Sequence, residues 1–209
     1  MNRIRLLALV VLLGPVGRSR AEPLTAVEPV TRTLAERLRE SGRAEVQIER
    51  LVLDPISGRT QAALGLLVLE PPDRAAIEFP ATGERVTLRA DGGEWLQPDL
   101  RQMIRLDAGD AAGASRWWEL LLRPAAAGFA ARRKSERRWT LIALAHAGLA
   151  ADSASMTLGA DGLPLRLEIT EPPDGHEMYR FRGWKFSKPR GRAPFVIRPP
   201  RDFEVVRLH

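Results

Sequence analysis

The chain has 209 residues, enough for one sizeable domain and short for two. It is 44% hydrophobic and 28% charged, a composition that excludes an intrinsically disordered chain and an integral membrane protein. The formal net charge is +6, and much of that charge belongs to the N-terminus.

The first 21 residues have the pattern of a secretory signal peptide. Arg3 and Arg5 precede the apolar run 6–13, and small residues follow up to Ala21, as a signal peptidase requires. The run is about half of the roughly 20 residues that span a bilayer, which favours cleavage over a retained anchor. Cleavage after Ala21 leaves residues 22–209, removes four arginines and no acid, and lowers the formal net charge from +6 to +2. We therefore expect an exported protein without a nucleic-acid partner.

Cysteine is absent from the whole sequence. Disulfides are therefore excluded, although an exported chain could form them, and so is attachment to a membrane through a lipid-modified cysteine. With no thiolates and three isolated histidines, the sequence does not predict a structural zinc site. We predict no metal and no cofactor.

Residues 24–41 have the periodicity of an amphipathic helix. The apolar side chains recur at spacings of three and four and form one stripe, and Gly42 is a suitable stop. The stripe consists of Val27, Val30, Leu34 and Leu38. This pattern fits a helix packed on a core and equally a helix that covers a cavity.

From residue 44 onward the period changes to two, which is typical of half-buried strands. About ten short strands follow, the last near 195–206, separated by turn signals such as those at 91–93 and 161–162. Regular helical crossovers are missing, so we expect antiparallel pairing in a barrel, a partial barrel or a sandwich. The strand at 62–70 is apolar on both faces, so we expect both faces to be covered, one by a helix and one as the lining of a cavity.

A second helical region is predicted between the strands, at 108–131. Within it, residues 116–122 are apolar nearly all round and Pro124 ends the run, and a further short helical turn is expected at 125–131. A helix of this kind has to bury several sides. The segment is interpreted either as core packing or as a lid over a lipid site.

The sequence offers little support for catalysis. His146, His176 and His209 are isolated from one another, and Ser153 and Ser155 lack the G-x-S-x-G context of a nucleophile elbow. We predict no catalytic residue and no enzymatic activity.

Four motifs follow one another along the mature chain. They are GLLVLEPP at 65–72, LRADGGEWLQP at 88–98, ADGLPLRLEI at 160–169 and FVIRPPRDFEVV at 195–206. Each motif alone is weak, because turns and alternation are common. In this order the motifs cover most of the mature chain and resemble the outer-membrane lipoprotein carrier family, LolA.

The resemblance implies a mainly β (α+β) fold, an incomplete antiparallel β-barrel with helices covering an apolar cavity, in one domain at 22–209. It implies a periplasmic carrier that binds acyl chains of lipoproteins or related lipids and moves them from the inner to the outer membrane. The implied partners are an inner-membrane release complex and an outer-membrane acceptor, and we expect a monomer. The alternative is a half-barrel envelope-stress sensor or regulator that binds a protein partner.

The resemblance also implies which residues form the site. Those expected to line the cavity are Leu64, Leu66, Val68, Ile77, Phe79, Val86, Leu88 and Trp95, and those expected in the helical lid are Trp117, Trp118 and Leu121. The family's best-known carriers latch the lid with an arginine just before the first proline of the motif. Glu70 stands at that position here, and a carboxylate cannot donate the same hydrogen bonds. Whether Glu70 or the nearby Arg74 closes the lid stays open.

Overall fold

The computed structural model of the chain describes residues 24–54, 57–89, 91–107, 120–122, 128–144, 153–171, 175–191 and 193–208. Its elements are β1 (Thr25–Ala26), α1 (Glu28–Ser41), β2 (Arg43–Leu53), β3 (Thr60–Glu70), β4 (Arg74–Phe79), β5 (Glu84–Arg89), β6 (Gly92–Gln97), β7 (Gln102–Leu106), β8 (Phe129–Arg133), β9 (Arg138–Ala143), β10 (Ser153–Leu158), β11 (Pro164–Glu171), β12 (Gly175–Ser187) and β13 (Glu204–Leu208). Residues 120–122 are helical as well. Within these ranges no helix is long and apolar enough to cross a membrane.

In the described residues, thirteen strands form one sheet in the order β1-β8-β9-β10-β11-β12-β2-β3-β4-β5-β6-β7-β13. Two antiparallel meanders, β2–β7 and β8–β12, are joined by the pairing of β12 with β2. The edge strands β1 and β13 lie at opposite ends of this order, so the barrel is incomplete. The predicted fold class is confirmed.

Helix α1 presents its apolar stripe to the sheet, as its spacing predicts. Val30, Leu34 and Leu38 are buried, and Gly42 ends the helix in the left-handed region at φ 87°, where its N–H donates to the Leu38 carbonyl at 2.7 Å. Glycine adopts this φ without steric cost. The chain then enters β2 at once, which holds α1 against the strands that it covers.

The sheet has two unlike faces. Alternate residues from both meanders share one core with α1 and with Leu120 and Leu121, and we call this the concave face. The opposite, convex face is crossed by residues 188–191 and 193–203, which we call the strap. On the convex face Phe195 packs with Val68 and Ala76, while Ile197 joins a separate small cluster.

Two predictions about local structure are wrong. The last strand is β13, not 195–206, because prolines in the strap lack the N–H groups that a strand ladder needs. This strand pairs with β7 in parallel, unlike the antiparallel pairs elsewhere among the described strands. Residues 125–131 do not form a helical turn throughout, since β8 begins at Phe129 and pairs with β1 and β9.

Candidate functional site

The concave face of β3–β7 is the apolar surface on which the candidate site lies. Successive strand residues point to opposite faces, so the inward residues occupy every second position. On β4 these include Ile77 and Phe79, and on β5 Val86 and Leu88. Trp95 of β6 lies directly opposite Val86 in the strand pairing. Five of the predicted cavity residues are therefore on the concave face, and their contact with a lipid stays a prediction.

The three predicted cavity residues on β3 face the other way. Leu67 and Leu69 belong to the concave core, whereas Val68 packs on the convex face under Phe195. Leu64 and Leu66 share the orientation of Val68 and are 67% and 40% exposed. Leu64, Leu66 and Val68 therefore lie on the opposite face from Ile77 and Trp95, and their contact with a lipid stays a prediction. The strand is apolar on both faces because the strap covers one end of its convex side.

The chain's own side chains fill much of the concave face. Leu120 and Leu121 of the second helical region are completely buried in the same core as Leu34 of α1. The predicted lid residue Leu121 thus packs inside the half-barrel. Trp117 and Trp118, the other predicted lid residues, lie outside the described residues.

One row of apolar residues on the concave face remains partly exposed. Val86, Trp95 and Ile104 lie side by side on β5, β6 and β7, and each is only half-buried. The next row inward, with Leu88 and Leu106, is buried. The partly exposed row is thus continuous with the core and is one of the places where solvent reaches it.

A polar cluster lies beside this row, at the end of the concave face where β2 passes Arg50. The Arg50 guanidinium donates two hydrogen bonds to the Glu84 carboxylate, at 3.2 and 2.6 Å, and the Trp95 indole N–H donates a third at 3.0 Å. Arg50 also lies over the Phe79 ring, 4.1 Å from its centre. Each charged group therefore has a partner, so the cluster can remain stable next to apolar surface.

The electrostatics of the cluster follow from its partners. Burial alone would lower the pKa of Arg50, but the hydrogen bond and charge of Glu84 outweigh it, and the pKa is raised. Tyr179 on β12 lies opposite Arg50 in the strand pairing. Burial and the nearby Glu177 carboxylate raise the pKa of Tyr179 well above its ordinary value.

Tyr179 gives this environment a direct readout, because it is the only tyrosine in the sequence. A raised pKa in the folded state means that the folded chain keeps a proton that the unfolded chain loses near pH 10. We expect the free energy of unfolding to fall as the pH rises above about 10, and tyrosinate absorbance to appear only as the chain unfolds. Reversible ionisation at the ordinary tyrosine pKa in a folded chain would contradict this environment, and Tyr179→Phe, which removes the signal, is the control.

Glu70, the predicted latch position, lies on the convex face. Its side chain is 1% exposed on the convex face, where its Oε1 accepts a hydrogen bond from Arg43 at 3.0 Å. Its Oε2 is in ionic contact with Arg74 at 2.9 Å, without a well-aligned hydrogen bond. Arg74 in turn lies 5.2 Å from the centre of the Phe195 ring. Both candidates for the latch therefore lie on the opposite side of the sheet from residues 120–122, and they support the strap.

The histidines do not form a catalytic or metal-binding group with one another in the described residues. His176 pairs with Thr170 across β11 and β12, and His146 and His209 lie outside the described residues. In the described part of the chain, no group of three or more histidines or carboxylates is close enough to hold a metal ion.

With this geometry, the chain resembles known structures in fold. The similar structures include an uncharacterized conserved protein from Thermus thermophilus, at a TM-score of 0.52 and 11% identity, over 88% of this chain and 100% of that one. They also include a LolA superfamily protein from Nitrosomonas europaea, at a TM-score of 0.41 and 9% identity, over 80% of this chain and 97% of that one. A third, described as an outer membrane lipoprotein-sorting protein domain from Vibrio parahaemolyticus, matches at a TM-score of 0.42 and 10% identity, over 81% of this chain and 97% of that one.

These likenesses concern the fold alone. The predicted incomplete antiparallel barrel is confirmed by the sheet itself, and the resemblance to the lipoprotein carrier family stays a prediction. No family model matches the chain, and no curated protein matches it.

Sequence reasoning missed the polar cluster of the half-barrel, although a signal for it was present. The inward series on β2 runs through Ala44, Val46 and Ile48 and reaches Arg50 in the same alternation. A charged residue at an inward position needs a partner. The sequence does not say which one, because Glu84 is 34 residues away.

Proposed function

We propose that the chain is a periplasmic carrier that binds acyl chains of lipoproteins or related lipids on the concave face of its half-barrel. The supporting observation is the partly exposed row of Val86, Trp95 and Ile104, which continues into a buried apolar core. Export through a cleaved signal peptide at residues 1–21, and a role without catalysis, are parts of the same proposal.

Loading is an exchange of apolar contacts. An acyl chain entering the core takes the place of side chains such as Leu120 and Leu121, which pack there now. Each buried methylene of the ligand contributes about 0.8 kcal/mol, but the displaced leucines lose a comparable burial. The net affinity is the difference between these two contributions. A carrier benefits from this balance, because it has to release its cargo as well as bind it.

In this proposal the carrier moves its cargo from one membrane to another. A lipid that leaves a bilayer exposes its acyl chains to water unless an apolar surface receives them, and the concave face is such a surface. We infer an inner-membrane release complex as donor and an outer-membrane acceptor as recipient, with the monomer as the travelling form.

A matched pair of variants tests the site. Val86→Thr with Ile104→Thr makes the exposed row polar while keeping strand-forming residues. We expect a long-chain fluorescent fatty acid to bind about tenfold more weakly, because each methyl group lost from the contact costs on the order of 0.8 kcal/mol. The affinity is measured by fluorescence titration of the purified protein.

The control also replaces two apolar residues with threonine, but on the convex face. Leu64→Thr with Leu66→Thr alters two exposed leucines of β3 and is expected to leave the affinity unchanged. Equal weakening by both pairs, or weakening by the convex pair alone, would contradict a site on the concave face.

A further inference from the structure

The Arg50–Glu84 ion pair joins strands that are not neighbours. Arg50 lies on β2 and Glu84 on β5, and β3 and β4 run between them. In a flat sheet, three strand spacings would separate the two backbones by about 14 Å. Two long side chains bridge this gap on the concave side of the sheet, where Arg50 Nη2 and Glu84 Oε2 come within 2.6 Å.

The strands between them leave room for this contact. The Phe79 ring of β4 lies beneath the Arg50 guanidinium and over Gly65 of β3. A Cβ added at Gly65 would lie 2.8 Å from Cδ1 of that ring and 2.7 Å from the Glu78 carbonyl oxygen, too close for either. Trp95 of β6 continues the arrangement by donating to Glu84. The layered contacts thus draw five adjacent strands, β2–β6, toward one another.

The pair borders the candidate site directly. Val86 follows Glu84 at the next inward position of β5, and Ala63 of β3 lies opposite Arg50 and is also partly exposed. Separating Arg50 from Glu84 would let β2 and β5 move apart and widen the concave face beside the exposed row.

The exposure of the pair sets it apart from the buried charges of the convex face. The Arg50 and Glu84 side chains are 23% and 13% exposed, so water can hydrate both charges when they part. Arg43 and Glu70 are 6% and 1% exposed, and breaking that pair would leave charges buried. Of these two ion pairs, the one at the site is therefore the one that can open at modest cost.

We propose that the Arg50–Glu84 pair is a gate, which holds the half-barrel curled over its apolar face and opens when an acyl chain enters or leaves. This inference rests on the proposed function and adds the control of access to it. We expect that linking the two side chains slows exchange of the ligand and that weakening their ion pair speeds it.

The absence of cysteine from the sequence permits a direct test. Arg50→Cys and Glu84→Cys are introduced together, the protein is loaded with a long-chain fluorescent fatty acid, and the two thiols are joined by a bis-methanethiosulfonate linker. Transfer of the probe to phosphatidylcholine vesicles is followed by stopped-flow fluorescence. We expect the linked protein to release the probe about tenfold more slowly than the same protein after reduction of the linker.

A second variant and a convex control complete the test. Glu84→Gln removes the charge but keeps the shape, and it is expected to speed release several-fold. Linking Glu49→Cys to Arg180→Cys bridges an ion-paired position of β2 and β12 on the convex face and is expected to leave release unchanged.

The outcomes separate the gate from the site. Binding by the unmodified protein, together with release rates that neither the linker nor Glu84→Gln changes, would overturn the gate and leave the proposed function intact. Equal slowing by the convex link would also overturn it, since general stiffening then explains the effect. No binding of any acyl probe by the unmodified protein would overturn the proposed function, and the gate with it.

Discussion

Replacing Glu70 with methionine is expected to lower the free energy of unfolding by about 3 kcal/mol, because it removes a buried carboxylate that pairs with the buried Arg43 guanidinium and with Arg74. Glu70 is 1% exposed and contacts both Arg43 and Arg74. Arg43 keeps a second carboxylate, Glu45 at 2.6 Å, so the loss falls at the lower end of what breaking a buried pair costs. Urea unfolding followed by tryptophan fluorescence measures it.

A double variant shows whether the loss of stability in Glu70→Met comes from the unpaired charge or from the changed shape of the side chain. Arg43→Met with Glu70→Met removes both members of the pair and is expected to be less destabilised than Glu70→Met alone. Fatty-acid binding by the folded Glu70→Met protein is expected to persist, because Glu70 lies on the convex face. Unchanged stability together with lost binding would contradict the structural role and support a latch at this position.

Replacing Phe195 with alanine is expected to cost about 3 kcal/mol of stability and to loosen the strap, because a large buried ring leaves a cavity when it is removed. Phe195 packs with Val68 and Ala76, and its backbone carbonyl accepts a hydrogen bond from Arg89 at 2.9 Å. Limited trypsin digestion measures the loosening, with faster cleavage expected after the exposed Arg190, which Gly191 follows.

Val196 provides the matched control for the strap. It is the next residue, its side chain is 43% exposed, and Val196→Ala should leave stability and digestion nearly unchanged. Equal effects of the two substitutions, or no effect of Phe195→Ala, would show that the strap is not held through this ring.

The strand pattern and α1 were predictable because they depend on local periodicity. Inward and outward residues alternate along β2 and β11, and the stripe on α1 ends at a glycine suited to a left-handed φ. These signals are contained in short stretches of the chain. They identify the elements whichever partners each element later meets.

The orientation of β3 could not be predicted from its own residues. Leu66, Leu67, Val68 and Leu69 are all apolar, so alternation does not distinguish the two faces. The choice is made by the neighbouring strands and by Phe195, more than 100 residues away, which covers Val68. The strand predicted at 195–206 is interrupted by the prolines of the strap, and no local pattern shows which face the strap crosses.

The candidate site was predictable in part for the same reason. Ile77, Phe79, Val86, Leu88 and Trp95 follow clean alternation and share the concave face, and their contact with a lipid stays a prediction. The Arg50–Glu84 pair brings together residues from separate strands. No local pattern contains that information.

The acyl-binding role is tested most directly by mass spectrometry of lipids extracted from the protein after purification from envelope fractions, together with uptake of a fluorescent acyl probe by the emptied protein. We predict a co-purifying acylated lipid or lipoprotein, and saturable uptake of the probe that Val86→Thr with Ile104→Thr weakens. A protein that carries no acyl compound and takes up no probe would contradict the role proposed for the concave face.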